Sequence, residues 1–461
     1  VTYFFVLLFL ALMGYIVYFN VVRAKQIVNS PYNARQDNFA EQVIRGNITD
    51  RNGNVLAQTE VAEDGSENRQ YPYGEIFAHV VGYSHEDAGK TGLESTENFE
   101  LLTSNAFFLE KLKNEFQGQK KQGDTVVTTL DANLQQTAYQ ALGENKGAVV
   151  VMEASTGKIL VLLSKPSYDP NQIGEVWQLL NADEENSPML NRVTQGAYAP
   201  GSTFKVVTAL EYMREHADYA NYTYDCAGEI TLYDTTIHCF DSTVHGFEDL
   251  RSSLANSCNA SFANIGLSLN RASYRQTAED LLFNKKLPCM LEYSRSSFAV
   301  NETTGDAEMM MTAMGQGNTL VSPYHMALIT AAVANGGILM EPYLVEKVTS
   351  HAGTEIRKNV PKSYRKLMSS EEAAQLKEYM RAVVEEGTGM LFAGQPYTSA
   401  GKTGTAEYSM VDGEKTHSWY MGFTNVENPE LVISVIVEGY DGNDGAKAVP
   451  IAKQVLDAYY N

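Results

Sequence analysis

Three short segments carry residues whose types and spacing suit nucleophilic chemistry. The first is Ala199-Pro200-Gly201-Ser202-Thr203-Phe204-Lys205. Pro-Gly, then Ser, then a helical pattern places Ser202 at a helix N-terminus. Lys205 follows one turn on and shares its face. A serine hydroxyl is a poor nucleophile until a neighbouring base takes its proton. Lysine can be that base when burial or nearby positive charge lowers its pKa. Four S-x-x-K matches occur: Ser155/Lys158, Ser202/Lys205, Ser363/Lys366 and Ser399/Lys402. Only Ser202 has the turn-to-helix setting that exposes the hydroxyl and fixes the pair.

The second segment is Ser257-Cys258-Asn259. Its alternate residues on a short loop could turn a hydroxyl and an amide into one cleft, although a helix cap is the ordinary role of a lone S-x-N. The third is Ser399-Ala400-Gly401-Lys402-Thr403-Gly404-Thr405-Ala406. Small residues beside Lys402 let a substrate backbone approach a strand, while Lys402 and the flanking hydroxyls offer an anion site. Ser66-Glu67-Asn68 and Lys90-Thr91-Gly92 repeat two of the patterns upstream, in a loop and a turn. Only one ordered set exists in suitable contexts, with 55 residues from Ser202 to Ser257 and 145 from Ser257 to Lys402.

The elements that must position this set emerge from hydropathy. Val1 to Val22 contains no charge, long enough for a membrane-spanning helix of ~20 residues, and is expected to be an uncleaved anchor. Arg23 and Lys25 would place the following side in the cytoplasm by charge bias. Arg23 to Glu41 is polar and helix-compatible, and Asn52-Gly53 predicts a hairpin turn. From residue 123 a short strand leads into an amphipathic helix ending at Leu142. Gly147–Glu153 and Ile159–Ser164 then predict a buried hairpin. Helices are expected over Phe204–Glu215 and Pro323–Ala334, strands over Trp419–Thr424 and Leu431–Tyr440, and a closing helix over Ala446–Tyr460. Strands at both ends of a helical stretch predict one sheet built from distant segments, an α+β design. The chain of 461 residues is 44% apolar with a net charge of −21, which argues against nucleic-acid binding.

The three motifs in this order resemble those of penicillin-binding proteins and serine β-lactamases. The chain is identified as similar to class B penicillin-binding proteins, membrane-anchored D,D-transpeptidases of bacterial cell-wall synthesis. Arg45-Gly46, Asp50-Arg51-Asn52-Gly53, Thr91-Gly92-Leu93-Glu94, Met152 to Gly157, Asn191-Arg192, Gly315-Gln316-Gly317 and Gly387-Thr388-Gly389 carry the likeness along nearly the whole chain. About 40 residues separate Gly53 from Gly92, so the compact-pedestal subgroup is implied. The resemblance implies an anchor over 1–22, a pedestal domain over 23–145 and a transpeptidase domain over 146–461. The last would be a central antiparallel sheet flanked by helices, lying outside the cytoplasm.

It further implies Ser202 as nucleophile on the penultimate D-Ala carbonyl of a stem peptide, Lys205 as base and Ser257 as proton relay. The backbone N–H groups of Ser202 and Thr405 would form an oxyanion hole. Asn259 would bind the substrate amide. Lys402, Thr403, Gly404 and Thr405 would hold the terminal carboxylate, and the charge of Lys402 would help depress the pKa of Lys205. β-Lactams would be trapped at Ser202, and a polytopic glycosyltransferase is the implied partner.

Further expectations concern other groups. Cys226 and Cys239 are disulfide candidates, with free thiols nearly as well supported. Cys258 is read as a packing residue, Cys289 as structural, and His245 and His417 as structural groups. Four cysteines without a CxxC pair predict no metal site, and no cofactor is expected. Alternatives on the same fold are a carboxypeptidase, which passes the acyl group to water, and a β-lactamase. No Glu in an E-x-x-L-N setting lies between Asn259 and Lys402, which disfavours the class A hydrolase. A non-enzymatic β-lactam sensor or scaffold is the third alternative, disfavoured by the single apolar segment and the complete motif set.

Overall fold

The computed structural model describes residues 2–19, 42–105, 120–410, 413–440 and 447–461. The helical expectation over Arg23–Glu41 lies outside the described residues. The chain forms two compact units. One comprises 1–128, 168–179 and 345–359; the other comprises 129–167, 180–344 and 360–461. The first unit is thus discontinuous in sequence. The reason is strand pairing: Val345–Thr349 runs antiparallel to Thr125–Thr128, drawing a distant segment into its sheet.

At the N-terminus, helix Thr2–Tyr18 has 17 residues without a charge. At ~1.5 Å per residue this is about 26 Å long, against a hydrocarbon core of about 30 Å. No described helix is long and apolar enough to cross a membrane. The described residues therefore do not show the spanning anchor expected over 1–22.

The first unit is organised by a six-stranded sheet in the order Glu355–Lys358, Val345–Thr349, Thr125–Thr128, Ile48–Thr49, Val55–Val61, Glu67–Gln70. The expected hairpin joins Ile48–Thr49 to Val55–Val61. Asp50 closes its turn, with Oδ1 accepting from the backbone N–H groups of Asn52 and Asn54 at 2.8 Å each. Gly53 supplies the φ of +90° that a side chain would resist. Beside this sheet lies a buried ion triad. Glu94 accepts from Arg45 Nε at 2.6 Å and Arg69 Nε at 2.7 Å, and from Tyr71 OH at 3.3 Å. Burial pushes the Glu94 carboxyl up, but the two guanidinium groups outweigh it and hold the pKa below the ordinary value.

The second unit is built on helix α1 (Ala132–Leu142), strands β1 (Gly147–Glu153) and β2 (Ile159–Lys165), and helices α2 (Lys205–Glu215), α3 (Asn259–Ser268), α4 (Pro323–Ala334) and α5 (Ser370–Glu385). Strands β3 (Ser399–Met410), β4 (Gly413–Thr424) and β5 (Leu431–Tyr440) and helix α6 (Ala448–Tyr460) complete it. The strand order is β2-β1-β5-β4-β3, antiparallel throughout. The expected sheet from distant segments is therefore present. β1 and β2 are continuous apolar runs because both faces are covered. Leu134, Ala138 and Leu142 of α1 and Val455 and Leu456 of α6 join Val149, Val151 and Ile433 in one core. Every residue of α4 is buried, and α4 packs against β1, β4 and β5. β3 is the last strand in this order, and it carries the third motif.

The ion triad makes a stability prediction for the first unit. Glu94→Ala leaves two buried guanidinium groups without their carboxylate and should cost about 3–5 kcal/mol. Chemical denaturation monitored by circular dichroism would measure it; a loss below ~1 kcal/mol would show that solvent or other groups compensate.

Candidate active site

Ser202 lies in a 3-10 turn, Gly201–Phe204, that runs directly into α2. The turn is fixed by close backbone approach. Gly201 has φ of +54°, and a Cβ there would come within 2.5 Å of the Thr405 carbonyl oxygen. Gly201 N–H donates to the Gly315 carbonyl at 2.9 Å, and Gly315 could not carry a side chain, since its Cβ would overlap the Gly201 carbonyl. Thr203 Oγ1 donates to the Pro200 carbonyl at 2.6 Å, and Trp419 Nε1 to the Ala199 carbonyl at 3.0 Å. These contacts leave Ser202 half-buried while Gly201, Thr203, Phe204 and Lys205 are buried.

Lys205 follows on α2, fully buried. Its Nζ donates to the Ser257 carbonyl at 2.7 Å, to Asn259 Oδ1 at 2.6 Å and to Ser257 Oγ at 3.3 Å. Three acceptors match the three donors of an ammonium group. Ser257 occupies a strained position, φ +55°, before α3. A non-glycine residue there costs of order 1–3 kcal/mol. Cys258 N–H on the Ser253 carbonyl at 2.9 Å holds the turn that aims Ser257 inward.

Lys402 on β3 is also fully buried. Its Nζ donates to Ser257 Oγ at 2.9 Å and to the Thr403 carbonyl at 3.0 Å. Both lysines therefore reach one serine hydroxyl, 145 residues from one of them in sequence. Burial lowers the Lys205 pKa to about 7. Burial and then the Lys205 charge push Lys402 well below its ordinary value. The depression of Lys205 originates in desolvation, the first of the two causes expected, and is opposed by Cys258 and Cys239.

On β3, Thr403 and Thr405 are half-buried and share one side of the strand, while Lys402, Gly404 and Ala406 are buried on the other. Gly404 lies against the Ser202 turn; a Cβ there would meet Thr203 Cγ2 at 3.0 Å and the Pro200 carbonyl at 3.2 Å. Asn259, expected to offer its amide to substrate, uses Oδ1 on Lys205 and donates through Nδ2 to the His238 carbonyl at 2.9 Å. Ser202, Lys205, Ser257, Asn259, Lys402, Thr403, Gly404 and Thr405 are thus assembled around one turn and one strand. Ser155/Lys158 lies in the β1–β2 turn, Ser363/Lys366 is exposed, and the upstream S-x-N and K-T-G repeats belong to the first unit.

Two features were missed in the sequence. Thr388, in the Gly387-Thr388-Gly389 segment, has its hydroxyl 2.6 Å from that of Thr403. The segment carries part of the family likeness, but only the fold brings it to β3. Second, Cys226, Cys239, His245 and Cys258 form one cluster, their ligand atoms all within 4.8 Å of one another. All four cysteines are free thiols. Of the two alternatives expected for Cys226 and Cys239, the structure has the free thiols, with Sγ atoms 3.6 Å apart and Cys258 and His245 beside them. His417 is a structural group as expected, accepting at Nδ1 from Gly439 N–H at 3.4 Å and packed edge-on against Tyr198.

Comparisons with known proteins agree with this geometry. Residues 147–457 match the penicillin binding protein transpeptidase domain, and residues 45–126 match the penicillin binding protein A dimerisation domain. The chain is 34% identical to the peptidoglycan D,D-transpeptidase PbpA of Mycobacterium tuberculosis, covering 92% of this chain and 90% of that protein. It is 32% identical to the PbpA of Mycolicibacterium smegmatis, with the same coverage. Penicillin-binding protein A from M. tuberculosis, solved as an imipenem acyl-enzyme complex, superposes with a TM-score of 0.81 at 31% identity, over 91% of this chain and 99% of that one. The D,D-transpeptidase domain of a peptidoglycan glycosyltransferase from Eggerthella lenta gives 0.79 at 29% identity, over 91% and 99%.

Two predictions follow from the lysines and Thr388. Lys205 is a base only when neutral, so acylation by penicillin should rise about tenfold per pH unit below ~7 and level off above it. The groups facing it are Lys402 from β3 and Cys239 and Cys258 from the segments packed beside it. A stopped-flow acylation profile flat from pH 5 to pH 9 would remove Lys205 from that role. Thr388→Val deletes the hydroxyl bond to Thr403 and should slow acylation about fivefold, corresponding to roughly 1 kcal/mol. Unchanged kinetics would make that contact incidental.

Proposed function

The chain belongs to the penicillin-binding protein transpeptidase family, and on that premise we propose that it is a peptidoglycan D,D-transpeptidase acting through a Ser202 acyl-enzyme. Its class B relatives and their β-lactam acyl-enzyme complexes support the activity. The observation that carries the residue assignment is the convergence on Ser257 Oγ of two buried lysines, one of which, Lys205, follows Ser202 by three residues at the start of α2.

The chemistry follows from that arrangement. A stem peptide lies along β3, with its terminal carboxylate held by the Thr403 and Thr405 hydroxyls, while Lys402, on the other side of the strand, engages Ser257 Oγ. Neutral Lys205 takes the proton from Ser202 Oγ as that oxygen attacks the penultimate D-Ala carbonyl. Negative charge develops on the carbonyl oxygen, stabilised by the Ser202 and Thr405 N–H groups of the oxyanion hole. The C–N bond breaks and terminal D-Ala departs as an amine. Its proton comes through Ser257. With both hydroxyl lone pairs facing lysine donors, the Ser257 O–H is left to donate outward. An amine from a second stem then attacks the ester, and Ser202 Oγ recovers its proton as the cross-link forms. Asn259 orients Lys205 through Oδ1. Its anticipated contact with the substrate amide requires release of Nδ2 from the His238 carbonyl.

The apolar, solvent-exposed helix Thr2–Tyr18 supports attachment to a membrane, and the likeness to class B penicillin-binding proteins supports a catalytic unit outside the cytoplasm. A polytopic glycosyltransferase would supply the glycan strands whose stems are joined.

Fluorescent penicillin should label the wild-type chain and Ser399→Ala stably and fail to label Ser202→Ala. Label lost within seconds would turn the assignment to a β-lactamase. Label retained in Ser202→Ala would move the nucleophile elsewhere. Incubation of labelled-free enzyme with a pentapeptide donor and a D-amino acid acceptor should yield exchanged peptide; release of D-Ala without exchange would favour the carboxypeptidase.

A further inference from the structure

Behind the Ser257 loop, four ligand-capable side chains converge from four segments. Cys226 ends the short strand Tyr224–Cys226, which pairs with Gly246–Glu248; Cys226 lies opposite Gly246. His245 immediately precedes that partner strand. Cys239 follows the hairpin strand Thr235–His238, and Cys258 is the N-cap residue of α3. Cys226, Cys239 and Cys258 are buried, and His245 is half-buried at the outer lip.

The separations have the dimensions of a coordination shell. Cys226 Sγ to Cys239 Sγ is 3.6 Å, Cys239 Sγ to Cys258 Sγ is 3.7 Å, and Cys226 Sγ to His245 Nδ1 is 3.5 Å. A tetrahedral Zn2+ with metal–sulfur bonds of ~2.3 Å and a metal–nitrogen bond of ~2.0–2.1 Å has S···S edges of about 3.8 Å and S···N edges of about 3.5 Å. A disulfide needs its sulfurs at ~2.05 Å and would use only two of the three thiols. The surroundings also suit bound thiolates. Gly228 N–H donates to Cys226 Sγ and Ser261 N–H to Cys258 Sγ, each at 3.4 Å, the outer hydrogen bonds that orient metal ligands. Cys3His is a closed set with the composition of structural zinc sites.

We propose that Cys226, Cys239, His245 and Cys258 bind one Zn2+ ion that clamps the Ser257-Cys258-Asn259 loop to the two small hairpins behind it. The ligands enter as three thiolates and a neutral imidazole, releasing the thiol protons to solvent. The ion has no contact with the reacting atoms. Its role is positioning: Cys258 separates Ser257 from Asn259, and the Asn259 side chain joins Lys205 to the His238 carbonyl, next to Cys239. Fixing both cysteines therefore fixes both ends of the hydrogen-bond chain that holds Lys205. The spacings of 13, 6 and 13 residues between successive ligands carry no recognisable finger signature. Only the hairpins bring them together.

The test is the metal content of the full chain, purified under reducing conditions and supplied with zinc. Elemental analysis should find one zinc per chain, and Co2+ in its place should give thiolate-to-metal charge-transfer absorption. Cys226→Ser should lose the metal. Cys289→Ser, outside the cluster, should keep it, and His245→Cys, which preserves four ligands, should keep it in a folded chain. Chelation should slow penicillin acylation, and zinc should restore it. Wild-type protein without bound zinc and without a cobalt charge-transfer band would overturn the proposal. So would a disulfide between any two of the three thiols in metal-free, active protein. Metal content is read without turnover, so failure of this site and failure of the acyl-transfer assignment are separate results.

Discussion

The cost of burying two ammonium groups governs the architecture of the active site. Each carries a desolvation penalty of several kcal/mol if left charged. Lys205 meets that penalty through the Ser257 carbonyl, Ser257 Oγ and Asn259 Oδ1, and Lys402 through Ser257 Oγ and the Thr403 carbonyl. All of these acceptors lie on the loop before α3, on its first residue or on β3. Their placement demands a strained Ser257 and a turn at Ser202 packed against Thr405 and Gly315. The same desolvation brings Lys205 to a pKa of about 7, where a base can work at neutral pH. Stability is given up in the place where reactivity is gained.

The first unit solves a similar problem without chemistry. Glu94 is completely buried, and its two oxygens are taken by Arg45 and Arg69, from segments well separated along the chain. Arg45 Nη2 also donates to the Glu94 backbone carbonyl at 2.6 Å, and Arg69 Nη1 to the Gly46 carbonyl at 2.7 Å. A buried ion pair adds little net stability over apolar packing, but it penalises any arrangement that leaves one partner alone. The Arg45-Gly46 and Gly92-Leu93-Glu94 segments are therefore two halves of one registration device.

Around these polar clusters, ordinary packing supplies rigidity. α4 is apolar on every side because β1, β4 and β5 pack against it within a wholly buried environment. Tyr420 stacks on Phe392 at 4.8 Å between ring centres, beneath the strand that pairs with the Lys402 segment. Trp419, opposite Gly404 in that pairing, is buried and bonded to the Ala199 carbonyl, so the strand and the nucleophile turn share one support. The cysteine–histidine cluster performs the corresponding task behind the Ser257 loop, where short hairpins offer little core of their own.

Local sequence alone determined the elements with strong periodicity or turn chemistry: the Asn52-Gly53 hairpin, the β1–β2 pair, α2, α4 and the closing helix. It also singled out Ser202 from four S-x-x-K matches, because Pro-Gly before a helix is a property of adjacent residues. The motif order, which is linear information, was enough to suggest the family. Contacts between distant residues were not legible in that way. Thr388 against Thr403, the return of Val345–Thr349 to the first unit, and the gathering of Cys226, Cys239, His245 and Cys258 all depend on how the chain crosses itself. Desolvation belongs with them: the sequence placed a lysine after Ser202, but only the surrounding tertiary structure removed water from it and lowered its pKa to about 7.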